Sequence, residues 1–263
     1  MKRQRAPAFY LGRGYIGLIL FFLYAPIFVM ALMSFNASEF YAFPLSFTFD
    51  WYRKLAGNAE IVASAWRSLW IALATTAIAT ALGTAAALAL FRYEFPGKKF
   101  LQALLFPPIA IPWLIIGTAM LIFFFWVGIG RGTPAVILGH VALALPYVIV
   151  VVSARLQTFD RQLEEAARSL GANPWEVTWN VTLPWIASGV VAGGLFAFAV
   201  SFDQFVVSYF LAEPGDATLP VVIYTAIRKG FTPEINAIST IIIAVSMAVM
   251  LAASRYFRFG GER

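Results

Sequence analysis

The chain has 263 residues, of which 61% are hydrophobic and 12% charged, with a mean hydropathy of +0.79. Ordinary soluble domains are about half apolar and about a quarter charged, so this composition excludes a soluble fold, a disordered chain and a coiled coil, and points to a multi-span membrane protein. The absence of cysteine removes disulfides, thiolate zinc sites and cysteine nucleophiles together. The net charge of +6 is scattered in short segments between apolar runs, with no basic track fit for nucleic acid.

A helix needs about 20 mostly apolar residues to cross about 30 Å of hydrocarbon. Six stretches meet that length: 15–34, 67–90, 101–127, 133–153, 185–211 and 235–256. We therefore expect an all-α integral membrane protein, a single transmembrane domain over 1–263 with six spans and a loop at 154–184 between the fourth and fifth. Lys2, Arg3 and Arg5 precede the first span as in a signal peptide, but its apolar run is too long and no small-residue cleavage site follows, so it reads as retained.

Lysine and arginine fall unevenly on the two sides. Thirteen sit at the termini and in the second and fourth connections: Lys2, Arg3, Arg5, Arg13, Arg92, Lys98, Lys99, Arg155, Arg161, Arg168, Arg255, Arg258 and Arg263. Six sit in the alternate connections: Arg53, Lys54, Arg67, Arg131, Arg228 and Lys229. This bias predicts cytoplasmic termini and a multi-pass inner-membrane location. Pro26, Pro107, Pro108, Pro112 and Pro146 fall within spans, either as packing kinks or as irregular backbone beside a pathway.

The segment from Arg155 reads RLQTFDRQLEEAARSLGANPWEVTWNVTLP. Asp160 is a candidate N-cap, followed by Leu163, Ala166, Ala167 and Leu170 on one helix face. Arg161, Glu164, Glu165 and Arg168 take the opposite side. Gly171 suits the positive φ of a helix end, and Asn173, Pro174 and Glu176 suit a second start with a capping box. Helices of about ten residues are unstable alone in water, so the apolar face must be covered, either by the protein's own spans or by a groove on a cytoplasmic partner.

Glu165-Ala166-Ala167, then Gly171, Val181 and Leu183-Pro184 resemble the EAA loop of ABC importer permeases, whose pattern is E-A-A-x3-G-x9-I-x-L-P. Val181 in place of isoleucine is the single departure. The resemblance implies that the loop is a coupling helix seated on a separate ATPase subunit dimer, which would hold ATP and magnesium; this chain has no phosphate-binding loop and needs no cofactor of its own. It further assigns Asp160, Glu164, Glu165, Ala166, Ala167, Leu170, Gly171, Leu183 and Pro184 to ATPase coupling. LYAPIFVMALMSFNAS with Trp51-Tyr52, and the stretch from Ser201 to Thr240, are similar to polyamine-type permeases of spermidine/putrescine importers. Those work with a paralogous permease as a heterodimer and with a periplasmic substrate-binding protein. The same kind of permease for another small solute (an amino-acid derivative, an aminophosphonate or iron) is the alternative, as is a self-sufficient secondary transporter.

Asp203 is the acidic residue placed clearly within a span, about 27 Å along the fifth at 1.5 Å per residue. It either lowers the barrier to a crossing cation or forms an inter-helix or hydrated contact. Gly194, Ala197, Ser201, Gln204 and Ser208 form a stripe suited to close helix contact, with Asp203 beside it. Trp113, Tyr147 and Tyr209 are candidate cation–π partners on the pathway, along with Ser201 and Gln204. His140, the sole histidine, reads as a buried, hydrogen-bonded side chain in preference to a gate or proton relay. Leu219–Ile227 predicts a short helix at the outer face, preceded by Glu213 and Asp216, which either meet the binding protein or are solvated loop charges. An intramembrane protease is excluded: a zinc site of that kind needs two histidines, and Asp203 has no carboxylate partner in the membrane.

Overall fold

The computed structural model describes residues 7–38, 45–230 and 233–260, with side chains from residue 12 to residue 248 of these. Lys2, Arg3, Arg5 and Arg263 lie outside the described residues, as do the side chains of Arg255 and Arg258. The described residues are helical, apart from turns and one isolated bridge between Asn36 and Phe47. In chain order the helices are α1 Pro7–Met33, α2 Asp50–Gly57, α3 Ala59–Arg92, α4 Lys98–Leu105, α5 Pro107–Ala110, α6 Trp113–Trp126, α7 Thr133–Leu156 and α8 Gln162–Ser169. They continue with α9 Pro174–Val177, a π turn over Thr178–Thr182, α10 Leu183–Phe202, α11 Val206–Leu211, α12 Leu219–Lys229 and α13 Pro233–Gly260.

Helices Gly12–Met33, Ala59–Arg92, Thr133–Leu156 and Pro174–Phe202 are each long and apolar enough to cross a bilayer. The expected third span is instead two helical pieces, Lys98–Ala110 and Trp113–Trp126, bent by 114°. Its cause is local. Pro107 and Pro108 start α5, and Pro112, which has no amide hydrogen, separates it from α6. Pro26 and Pro146 lie inside unbroken helices. The sixth expected stretch falls in α13, a helix of 28 residues.

The fifth span differs from its expected limits at both ends. Pro174–Phe202 runs through the π turn as one helix of 29 residues, so the second loop helix is the beginning of the span. At the far end the expected helix to Leu211 is interrupted after Phe202 and resumes at Val206.

Two compact units are formed, one from Met1–Val62 with Ile223–Arg263, the other from Ala63–Val222. In the first, α13 packs against α1 and α2. The Trp51 indole N–H donates to the Asn36 carbonyl at 2.7 Å, and the Ser34 and Tyr52 hydroxyls lie 2.7 Å apart. In the second, α3, α7 and α10 approach through small residues. Ala72, Ala79, Gly83 and Ala87 are buried on α3, Gly139 and Ala144 on α7, and Gly189, Gly193 and Ala197 on α10. Lipid tails are as apolar as leucine, so close backbone approach and dispersion, rather than burial from water, hold such helices together. One apolar cluster holds Ala79, Ala87, Val148, Val152, Leu156 and Ile186, with Leu183 packed at its edge, and a second holds Ile71, Phe124, Val136, Leu143, Val207 and Leu211.

Candidate functional site

The connection between α7 and α10 folds through local signals. Asp160 caps α8 from one residue outside, its carboxylate accepting the Gln162 N–H at 2.9 Å. At the other end Gly171 has φ +93°. The Ala172 N–H reaches the Ala167 carbonyl at 3.1 Å and the Gly171 N–H reaches that of Arg168 at 2.9 Å, the paired bonds of a Schellman turn. Asn173 then opens the next helix. Its side chain accepts from the Glu176 N–H at 2.9 Å, and Glu176 accepts from the Asn173 N–H at 2.8 Å, with Pro174 at the first turn.

The two faces of α8 are disposed in a way that spacing alone left open. Leu163 and Ala166 are exposed and Leu170 is 91% exposed, so among the described residues no span covers the apolar face. Glu165 is exposed beside them, with Ala167 half-buried. Of the charged side, Glu164 alone turns inward, with Arg161 and Arg168 exposed at its edges. Glu164 is buried, and its carboxylate accepts the Arg92 guanidinium at 2.6 Å and the Thr182 hydroxyl at 2.7 Å. Arg92 also donates to the hydroxyls of Thr182, at 2.7 Å, and Thr178, at 2.9 Å. Arg161 donates to the Phe91 carbonyl and lies over the Phe91 ring, 4.4 Å from its centre. Exposed Trp175 and Trp179 pack edge to face nearby, and Pro184 is exposed in the first turn of α10.

Burial pushes the Glu164 carboxyl up, but the hydrogen bonds from Thr182 and Arg92 and the charges of Arg92 and Arg168 outweigh it and hold the group below its ordinary 4.5. A carboxyl depressed in the folded state stabilises above its unfolded value, and the contribution is lost as pH falls through the folded one. The node is therefore fully formed at neutral pH and weakens on acidification.

The break after α10 is the second polar feature. Its buried side carries the whole stripe Gly194, Ala197, Ser201, Gln204 and Ser208. The Gln204 side-chain oxygen accepts from the Val206 N–H at 3.1 Å and so starts α11. His140, 1% exposed, reaches Ser201 Oγ through Nδ1 at 2.8 Å and Ser208 Oγ through Nε2 at 2.9 Å, bridging the break from α7. Asp203 caps the end of α10 and is exposed. Tyr209 and Trp113 are also exposed, and half-buried Tyr147 stacks on Phe196. Among the described residues no hydrogen bond, ion pair or ring contact joins Asp203 to Trp113 or Tyr147. Asp216 pairs with Arg67 at 2.8 Å, which ties that loop to α3.

Inter-helix bonds inside a membrane are each worth about 0.6–1.7 kcal/mol. His140→Leu, which loses two, is expected to destabilise by about 1–3 kcal/mol, read as a lower melting temperature in detergent. An unchanged melting temperature would mean that the bridge does not hold the broken span.

Sequence reasoning missed Arg92, Thr178 and Thr182. A basic residue at the end of one apolar run, opposite an acidic residue buried on the loop helix, is the only signal, and it spans 72 residues of sequence.

Residues 79–259 match the family described as "Binding-protein-dependent transport system inner membrane component". Spermidine/putrescine transport system permease protein PotC of Escherichia coli K12 is 35% identical over 91% of both chains. Putrescine transport system permease protein PotI of the same organism is 36% identical over 84% of this chain and 82% of that protein. The crystal structure of a bacterial ABC transporter involved in import of the acidic polysaccharide alginate superposes with a TM-score of 0.77 at 17% identity, over 95% of this chain and 94% of that one. At that identity the likeness speaks for the fold, and the sequence match settles the membership: the chain belongs to the family of inner-membrane components of binding-protein-dependent transport systems.

Proposed function

We propose that this chain is the permease subunit of an ATP-driven importer of polyamines, spermidine and putrescine. The observation that carries the coupling role is α8, which presents Leu163, Ala166 and Leu170 outward while its Glu164 is held by Arg92. An amphipathic helix disposed in this way suits a groove on a partner, here a cytoplasmic ATPase dimer holding ATP and magnesium. Both termini and the 154–184 loop are then cytoplasmic, in keeping with the lysine and arginine bias. A paralogous permease completes a heterodimer, and a periplasmic binding protein delivers the solute on the other side. Closure of the ATPase pair displaces Asp160–Pro184 and tilts the spans between outward and inward access.

The polyamine assignment rests on the similarity to PotC and PotI and is supported by Asp203. Its carboxylate sits at a helix end within the fifth span, exposed and with no cation paired to it among the described residues. There it lowers the barrier to a polycation and raises the barrier to an anion. That sign favours polyamine over sulfate, the solute in the name of a 27% identical permease from Zygnema circumcarinatum. Tyr209 and Trp113 can add cation–π attraction for an ammonium group, while Ser201 and Gln204 hold the break that exposes Asp203.

Asp203→Asn is expected to slow spermidine uptake about tenfold, equivalent to ~1.4 kcal/mol on the crossing barrier, with binding-protein-stimulated ATP hydrolysis retained. Unchanged rate and selectivity would remove Asp203 from the pathway. The substrate itself is tested by stimulation of ATP hydrolysis in the assembled complex, using the binding protein loaded in turn with spermidine, putrescine, sulfate or an amino acid. Stimulation by the polyamines alone is the expected result; stimulation by another solute and not by polyamines would replace the substrate.

A further inference from the structure

We infer that Arg92 is a positioning residue that makes α3, together with the fifth span, move with α8; the inference rests on the reading that α8 docks on the ATPase. Three groups meet at its guanidinium. Glu164 belongs to α8, Thr178 and Thr182 bound the π turn, and Arg92 itself is in the last turn of α3. Thr182 is fully buried; it accepts from Arg92 and donates to Glu164 at 2.7 Å, so arginine, threonine and carboxylate close a triangle.

The triangle sits on the π turn. There the Leu183 N–H bonds to the Thr178 carbonyl, five residues back, and both threonine hydroxyls accept from Arg92. Such single turns cost hydrogen-bond geometry and occur mostly at functional positions. The planar arginine fork holds Thr178 and Glu164 through separate nitrogens, which a lysine point charge cannot reproduce. Arg161 adds a second grip, closing the end of α3 at the Phe91 carbonyl. A push on the outward face of α8 is thereby delivered to the end of α3 and to the start of the Pro174–Phe202 helix at once.

The test uses the full reconstituted complex and reads solute imported per ATP hydrolysed. Arg92→Gln is expected to lower this ratio at least tenfold while ATP hydrolysis stays within about twofold, and Arg92→Lys to restore part of it. Thr178→Val removes only one arm of the fork and is expected to lower the ratio about threefold; it decides the matter if Arg92→Gln does not assemble. A wild-type ratio in Arg92→Gln, or in Thr178→Val where Arg92→Gln fails to assemble, overturns the inference alone. Wild-type uptake that ignores ATP overturns the inference and the reading beneath it.

Discussion

Gly171→Asp is expected to abolish ATP-driven uptake, by at least tenfold, while leaving the protein in the membrane. Gly171 sits at φ +93°, where a side chain costs roughly 1–2 kcal/mol. Relief of that strain re-aims the turn between α8 and Asn173. It also loosens the paired bonds from Gly171 to Arg168 and from Ala172 to Ala167. Nothing lies within 4 Å of a Cβ at this position, so packing within the chain is not the cause of the loss. An aspartate also brings negative charge to the C-terminal end of α8, where the helix dipole disfavours it. The change lies in the turn before the Pro174–Phe202 helix and adds no contact with the spans. Uptake and ATP hydrolysis measured together separate this outcome from misfolding: hydrolysis persists without import. Normal import by Gly171→Asp would show that the turn does not set the position of α8 on its partner.

Gly83→Ala is expected to destabilise the second unit by about 1–3 kcal/mol, a five- to 150-fold change in the folding equilibrium. A Cβ at Gly83 would lie 2.7 Å from both Cβ and Cγ1 of Val148. Favourable carbon contacts begin near 3.5 Å, and Val148 Cβ is fixed to its backbone, so α3 and α7 must part. The same pair carries the core around Ala79, Val148 and Val152, so the separation spreads along the interface. Gly17→Ala is the matched control, because a Cβ at Gly17 meets nothing within 4 Å and alanine is the better helix former. Melting temperatures in detergent are expected to fall for the first and hold or rise for the second. Equal melting temperatures would contradict the close approach of α3 and α7.

Hydropathy located all six apolar segments, because a span must satisfy its backbone internally and therefore announces itself as a continuous apolar run. The ends of the connection were legible for a different reason: Gly171, Asn173, Pro174 and Glu176 act within five residues of one another, and their bonds form as their spacing predicts. The stripe from Gly194 to Ser208 was likewise written in local periodicity, and the buried, bonded state of His140 followed from a lone imidazole placed within a span.

Other features depend on groups far apart in sequence. The Glu164 side of α8 turns inward because Arg92 and Thr182 await it, and no periodicity within the loop contains Arg92. Trp175 to Thr182 is too polar to read as membrane helix, yet it continues into α10 because its π turn is held from α3. At the other end, apolar Phe205–Leu211 reads as more of the same span. It is a separate helix because the Gln204 side chain supplies an acceptor where the backbone ladder stops.

Transport of labelled spermidine into vesicles carrying this chain, the proposed paralogous permease, the ATPase and the loaded binding protein tests the central claim most directly. Accumulation that requires ATP inside the compartment corresponding to the cytoplasm is the predicted result. Accumulation that proceeds equally without ATP or without the ATPase subunit would contradict it.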